Sequence, residues 1–339
     1  VAVHIINTEN INFKNMLFTS PYTATTTTTL VQMEGINSIT NFVKDTFSSG
    51  SQSLVTSLMG EDSVSTNLKV DSCFFNYFGT NAVVVNSYDG AIISHNKIRA
   101  YTSTLIGSAI TFKKVIGTSK IEANDIYMNG GTAVRKGIDI KNSTFDMINP
   151  LLVFNNAVSL TGPATNSNIA YIGLDVDTSN YVYIYYNTIR AQASNNSSNS
   201  KTVSIGASAT NVNIRNNNFE NAGKGYVYYV ASPGTQVSIS NNNNYVVNGT
   251  RFAFWGANTA NLGALRTANN LDLSSDTIIN PFVSDSNLSL LYPTEIVRNA
   301  EPLDDVPMDI LGNYRPVSPR PTMGAYEYIF TNVDAGITN

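Results

Sequence analysis

Ile121-Glu122-Ala123-Asn124-Asp125-Ile126 holds in six residues the pattern that decides the fold of this chain. Two apolar residues stand five positions apart with polar residues between them, and an asparagine follows the first by three. The same spacing recurs at Phe13/Phe18, Phe42/Phe47, Val70/Phe75, Ile93/Ile98, Ile140/Phe145, Ile184/Ile189 and Ile214/Phe219, and a distorted ninth copy opens at Ile239. First residues advance by 29, 28, 23, 28, 19, 44, 30 and 25. The step of 44 reads as two turns of about 22, with one unplaced copy between Phe154 and Ile169.

Ahead of each copy the chain alternates, as in Leu68-Lys69-Val70, Val182-Tyr183-Ile184 and Val212-Asn213-Ile214. Period two is a strand with one face buried. No long 3.6-residue period competes with it. Short strands, polar turns and a repeat of roughly 20–30 residues predict a parallel β-helix, in which each coil buries its apolar face against the next.

Composition supports this reading. The chain of 339 residues carries 45 asparagines against 20 basic and 24 acidic residues, and 13% of it is charged. Eighteen Tyr and 15 Phe argue against a disordered polar tract. Asn96, Asn124, Asn187, Asn217 and Asn242 lie three residues into their copies. Stacked coils place equivalent residues about 4.8 Å apart. Asn is both donor and acceptor, so each can bond backbone and the next Asn, whereas Asp or Glu would stack like charges. Asp45, Cys73 and Ser143 hold the same position in other copies, which predicts an incomplete ladder and a buried, unreactive Cys73.

The rungs Ile93-Ser94-His95-Asn96-Lys97-Ile98, Ile121–Ile126 and Ile214-Arg215-Asn216-Asn217-Asn218-Phe219 resemble those of right-handed parallel β-helix repeat proteins, the pectate-lyase-like superfamily. The resemblance spans residues 1–258 and implies an all-β, single-stranded right-handed solenoid. From residue 259 the pattern changes to a proline-rich stretch with Asp309-Ile310-Leu311-Gly312-Asn313-Tyr314-Arg315 and Gly324-Ala325-Tyr326-Glu327-Tyr328. This order is similar to the closing segment of secreted bacterial surface β-helix proteins. It implies an irregular C-terminal cap over 259–328, with 329–339 a tail or the start of a linker. An exposed last coil needs cover; Phe282, Leu290, Leu291, Tyr326 and Tyr328 are expected to supply it, and Asp309 and Arg315 to pair across the loop. The chain opens on Val-Ala-Val-His-Ile-Ile, which reads as mid-strand and as a piece of a longer protein.

Several functions are excluded. Basic residues are scattered in a chain of net charge −4, so no stripe exists to neutralise nucleic-acid phosphates. No apolar run approaches the length of a membrane span. One cysteine and two histidines, His4 and His95, exclude disulfide frameworks and multi-His metal sites. The Asn-Thr-Asp, Asp-Asp, Gly-His-Gly and Arg-Ile-Lys set of polygalacturonase-like hydrolases does not occur as a group. Asp304-Asp305 lies in the C-terminal part, and His95 reads as a turn residue. Sequons at Asn142, Asn195, Asn196, Asn248 and Asn287 are what chance supplies in so Asn-rich a chain.

Chemistry is expected on the outward residues flanking each first apolar position: Lys69/Asp71, Ile92/Ser94, Lys120/Glu122, Asp139/Lys141, Tyr183/Tyr185, Asn213/Arg215 and Ser238/Ser240. Two readings compete. One is a non-catalytic, adhesin-like surface module that contacts a polysaccharide or cell-surface glycan through Tyr181, Tyr183 and Tyr185, with Glu122 and Asp139 beside them and Tyr226, Tyr228 and Tyr229 extending the face. A loop from the 191–201 turn is the element that would cover these rings instead. The other is a polysaccharide lyase, in which Lys120, Lys141 or Arg215 removes a proton beside a uronate carboxyl and Asp71, Glu122 and Asp139 hold Ca²⁺. A stalk segment of a larger surface protein is the third possibility. All three are expected outside the cell, secreted or surface-attached.

Overall fold

The computed structural model describes residues 2–20, 28–56, 64–100, 107–130, 134–162, 169–193 and 199–330. They form a parallel β-solenoid with three faces. Sheet A runs from Val3–Ile6 to Ala253–Trp255, closed by a short antiparallel strand at Asn258–Thr259. Sheets B and C have nine strands each, from Glu9–Lys14 to Val237–Asn241 and from Leu17–Thr19 to Asn244–Val247. Strand order advances by three, so each coil gives one strand to each sheet in turn. A parallel pair needs a long crossover, and here the other two strands of the coil provide it.

Inward residues stack in columns. Sheet B aligns Phe13, Phe42, Val70, Ile93, Ile121, Val153, Ile184 and Ile214. Sheet C aligns Phe18, Phe47, Phe75, Ile98, Ile126, Val158, Ile189, Phe219 and Tyr245. Phe47 and Phe75 stack with ring centroids 4.6 Å apart and planes within 5°. The two columns are the paired apolar positions of the repeat.

One copy was misplaced by spacing alone. Ile140 belongs to sheet A, in register with Phe112 and Val176. The fifth and seventh copies of the repeat are bridged by Val153-Phe154-Asn155-Asn156-Ala157-Val158, so the steps of 19 and 44 become 32 and 31. Apolar pairs five apart also arise where a sheet A strand runs into its turn, and spacing cannot tell the two apart.

The ladder therefore runs unbroken through Asn96, Asn124, Asn156, Asn187, Asn217 and Asn243. Each of the first five donates through its side-chain amide to the Oδ1 of the next, at 2.9 to 3.0 Å. Asn243 replaces the expected Asn242 because the register shifts after Val212. That shift places Ser240 beside Ile214 in the core column and leaves Ile239 outward and 41% exposed. Asp45 and Cys73 extend the ladder at its start: Asp45 Oδ1 accepts from Met16 N at 2.8 Å, and Cys73 N donates to Asn96 Oδ1 at 2.9 Å. Ser143 leaves this ladder for a serine one, donating its N–H to Ser179 Oγ at 3.1 Å.

The residue before each ladder position turns the chain from sheet B to sheet C with φ between 52° and 63°, at His95, Ala123, Asn155, Tyr186, Asn216 and Asn242. A left-handed residue with a Cβ costs about 1–2 kcal/mol. The ladder bonds directly after it offset that cost.

Beyond residue 259 the chain leaves the repeat for one short helix and irregular segments. Helix α1 (Leu262–Asn269), opened by Asn261 Oδ1 on Ala264 N at 2.9 Å, puts Leu262 and Leu265 into the main core. Asp272 N and Asp276 N donate to Ser240 O and Asn243 O of the last coil, both at 2.7 Å. From residue 281 the chain leaves the end and runs back along the B–C corner as a strap. It bonds the left-handed corner residues: Asn242 Nδ2 to Asn299 O at 3.2 Å, Asn216 Nδ2 to Glu301 O at 2.8 Å and Asn155 Nδ2 to Met308 O at 2.6 Å. Phe282, Leu290, Leu291, Tyr326 and Tyr328 therefore lie along the side: Phe282 and Leu290 pair in a small hairpin, and the others line a hollow beside it. Arg315 pairs with Glu327 at 3.2 Å rather than with Asp309. Asp309 instead accepts from the backbone N–H groups of Leu311, Asn313 and Glu327 at 2.8 to 2.9 Å. Residues 331–339 of the expected tail lie outside the described residues.

Candidate functional site

The strap decides which expected residues face solvent. Phe154, Tyr185 and Tyr186 form a second apolar cluster with Ile296, Ala300, Val306 and Met323. Tyr185 is 2% exposed, so Tyr181, Tyr183 and Tyr185 do not form an open platform. Tyr183 is half-buried beside it, ring centroids 5.7 Å apart, and Tyr181 is half-buried against the main core. The cover comes from residues 296–306; 194–198 of the loop expected to supply it lie outside the described residues. Arg215 belongs to the same covered cluster. Its Nη2 donates to the Tyr185 hydroxyl at 3.1 Å, it lies 4.9 Å over that ring, and it meets Glu301 at 3.5 Å. Burial pushes the Tyr185 hydroxyl up to about 12. Arg215 is thus a structural cation in the seam rather than a base open to substrate.

Asp71 lies on sheet B with Ser94, Lys69 and His95 around it, at 2.9, 3.4 and 3.2 Å. Burial alone would raise its carboxyl, and the Ser94 hydroxyl, Lys69 and His95 overcome this to hold it below its ordinary value. Lys120 and Glu122 share one strand two coils further along the same sheet, beside a cleft against the strap.

Asp139 and Lys141 lie on sheet A, because Ile140 does. The rows around them converge. Ser108, Lys136, Ile172, Lys201 and Tyr226 stand in one register; Thr111, Asp139, Asp175, Ser204, Tyr229 and Phe254 in the next; Lys113, Lys141 and Asp177 in a third. Lys136 Nζ bridges Asp139 at 2.8 Å and Asp175 at 2.7 Å, and Lys141 Nζ reaches Asp139 at 3.0 Å. Burial works against the Lys136 charge, and Asp175 and Asp139 outweigh it, raising its pKa.

Further along the axis the face becomes aromatic. Tyr229 and Phe254 stack at 4.7 Å and 13°, Tyr226 lies 5.7 Å from Tyr229, and the Lys201 amine sits 3.6 Å above the Tyr229 ring. Tyr228 points inward and is fully buried. Among the described residues Lys201 has no carboxylate within ion-pair distance. Burial lowers its pKa, and Lys136 adds to this against the opposing pull of Asp175. Two hollows of about 430 and 530 Å³ meet at Val134 and make one groove over this face. Five cations line it, Lys113, Lys136, Lys141, Lys201 and Arg251, against Asp139, Asp175 and Asp177 on the same face. A chain of net charge −4 thus carries a locally positive groove.

A calcium site does not fit these residues. Asp71 and Glu122 are two coils apart on sheet B, about 10 Å, and Asp139 is on sheet A. Among the described residues no three acidic, His or Cys side chains converge. Ca²⁺ takes six to eight oxygens, and the carboxylates of the groove already face lysines.

Sequence reasoning missed Lys136, Asp175, Lys201, Arg251 and Phe254. Their signal was present, since Tyr171-Ile172-Gly173-Leu174-Asp175-Val176-Asp177 and Lys201-Thr202-Val203-Ser204-Ile205 alternate like the sheet B strands. They lack the Asn turn that made the sheet B copies visible. In comparisons with protein-family models, with curated proteins and with solved structures, the chain matches none.

Proposed function

We propose that this is an extracellular, non-catalytic β-helix module that contacts an acidic polysaccharide through the sheet A groove. The observation that carries the reading is the Lys201–Tyr229–Phe254 arrangement at one end of that groove. Lys201 offers a cation to a carboxylate or sulfate on a sugar ring, and the stacked Tyr229 and Phe254 rings beside it give the groove an apolar wall. The lysines of the neighbouring coils continue the positive field along the axis. Shallow grooves with few well-placed polar groups are where extended ligands bind. The resemblance of the rungs to the pectate-lyase-like superfamily agrees with a polysaccharide partner and a secreted or surface-displayed setting.

The test is retention on immobilised polygalacturonate at low salt. Wild type is expected to be retarded, Tyr229→Ala and Lys201→Met each to weaken retention by about tenfold, and unsaturated uronate product to be absent. If neither substitution changes retention, the groove reading fails. If unsaturated product forms and Lys141→Ala or Lys120→Ala abolishes it, the protein is a lyase. Loss of retention on every glycan tried would leave the stalk reading.

A further inference from the structure

A second cleft, of about 450 Å³, lies on the opposite side of the solenoid between sheet B and the strap. Phe154, Lys120 and Glu122 of sheet B and His95 of the B–C turn line it, with Asp305 on the strap side. The walls are fixed. Asn155 holds Met308 O and Arg315 Nη2 at 2.6 and 2.8 Å, while Arg315 lies 3.8 Å over the Tyr186 ring. Asp71 bonds His95 Nδ1 at 3.2 Å and so presents the other ring nitrogen outward.

The side chains of this cleft are less committed than those of the groove. Among the described residues the carboxylates of Glu122 and Asp305 make neither a hydrogen bond nor an ion pair. The Lys120 amine, with no carboxylate within ion-pair distance among the described residues, lies over the Phe154 ring, 6.0 Å from its centroid. Two free carboxylates are acceptors, one ammonium is a donor, and an apolar ring lies beneath. That set matches vicinal hydroxyls above a C–H face. Its net negative charge opposes a uronate, the reverse of the sheet A groove.

We infer that this cleft is a saccharide site for a single neutral pyranose ring, distinct from the groove and opposite to it in charge preference. Glu122 and Asp305 accept from ring hydroxyls, Lys120 donates to one, and the sugar face rests on Phe154. Preformed walls mean that little ordering accompanies binding.

The test titrates the intact protein with methyl glucoside, methyl galactoside, methyl mannoside and free galacturonate, followed by saturation-transfer NMR and calorimetry. At least one neutral pyranoside is expected to saturate. Glu122→Gln and Lys120→Met should each weaken it about tenfold or more, because a hydrogen bond to a charged group is lost. Lys201→Met, in the groove, should leave it unchanged, and that separates this result from any outcome on polygalacturonate. An unchanged urea midpoint will show that these half-exposed substitutions fold. Absence of saturable binding by all three pyranosides, tighter binding of galacturonate, or indifference to Glu122→Gln would each overturn the proposal.

Discussion

Replacing Asn156 by Ala probes the ladder where it is most enclosed. Asn156 is fully buried, as are Asn124 and Asn187 on either side. Its side-chain amide donates to Ile121 O at 2.8 Å, Phe154 O at 3.1 Å and Asn187 Oδ1 at 2.9 Å. Its Oδ1 accepts from Asn124 N at 3.1 Å and Asn124 Nδ2 at 2.9 Å. The substitution removes all five bonds and strips the Asn124 N–H of its partner where water cannot replace it. One orphaned buried donor costs about 1–3 kcal/mol and each other bond about 0.5–1.5, so a loss of about 3 kcal/mol or more is expected. Urea unfolding followed by far-UV circular dichroism measures it, with an unchanged slope showing that the unfolded state is not what changed. Asn12→Ala is the control. Its Oδ1 accepts from Asn41 on the exposed face, and its loss should stay within about 0.5 kcal/mol. Asn156→Asp should cost more than Ala at neutral pH, because a carboxylate would face three acceptors. Its folded pKa would lie above the unfolded one, so the deficit grows as pH rises through the folded pKa and shrinks at acid pH. A loss under about 1 kcal/mol for Asn156→Ala would refute the account of the ladder.

Among the described residues, Arg135, fully buried on sheet A, has no hydrogen bond to any of its three guanidinium nitrogens and lies 5.0 Å from the Tyr171 ring. Arg135→Met is therefore expected to raise stability by about 1–4 kcal/mol, read from the urea midpoint. Arg315→Met should do the opposite. It leaves Glu327 buried and unpaired, costs about 3–5 kcal/mol, and should open the strap to limited proteolysis within residues 281–328 while the solenoid core resists. Burial pushes the Cys73 thiol up to about 12, so it should resist alkylation at about pH 8 in the native protein and react fully in denaturant, as counted by mass spectrometry.

Much of the fold was legible along the chain, and its failures were local. Phe42, Val70, Ile93 and Ile121 all stand in the sheet B column that their spacing predicted. Ile140 does not, because a pair five residues apart is a one-dimensional signal shared by strand ends on two different sheets. Asn156 was overlooked for the same reason. Asn242 was off by one residue, since the extra residue of the register shift is invisible without its partner strand. At the sites, Asp139 and Lys141 were assigned to the wrong face. A single-residue or single-strand displacement sends side chains to different surroundings.

Alternation, the repeat and the Asn excess by themselves determined a parallel β-solenoid with a stacked polar ladder, because period two and donor–acceptor side chains are properties of each coil and its neighbour. Which surface stays open was decided only by tertiary structure. Tyr183 and Tyr185 read as an exposed platform until a segment more than a hundred residues later folds back over them, and Lys201, Tyr229 and Phe254 come together only when three separate coils stack. Burial and convergence are sums over distant parts of the chain, and no local pattern contains them.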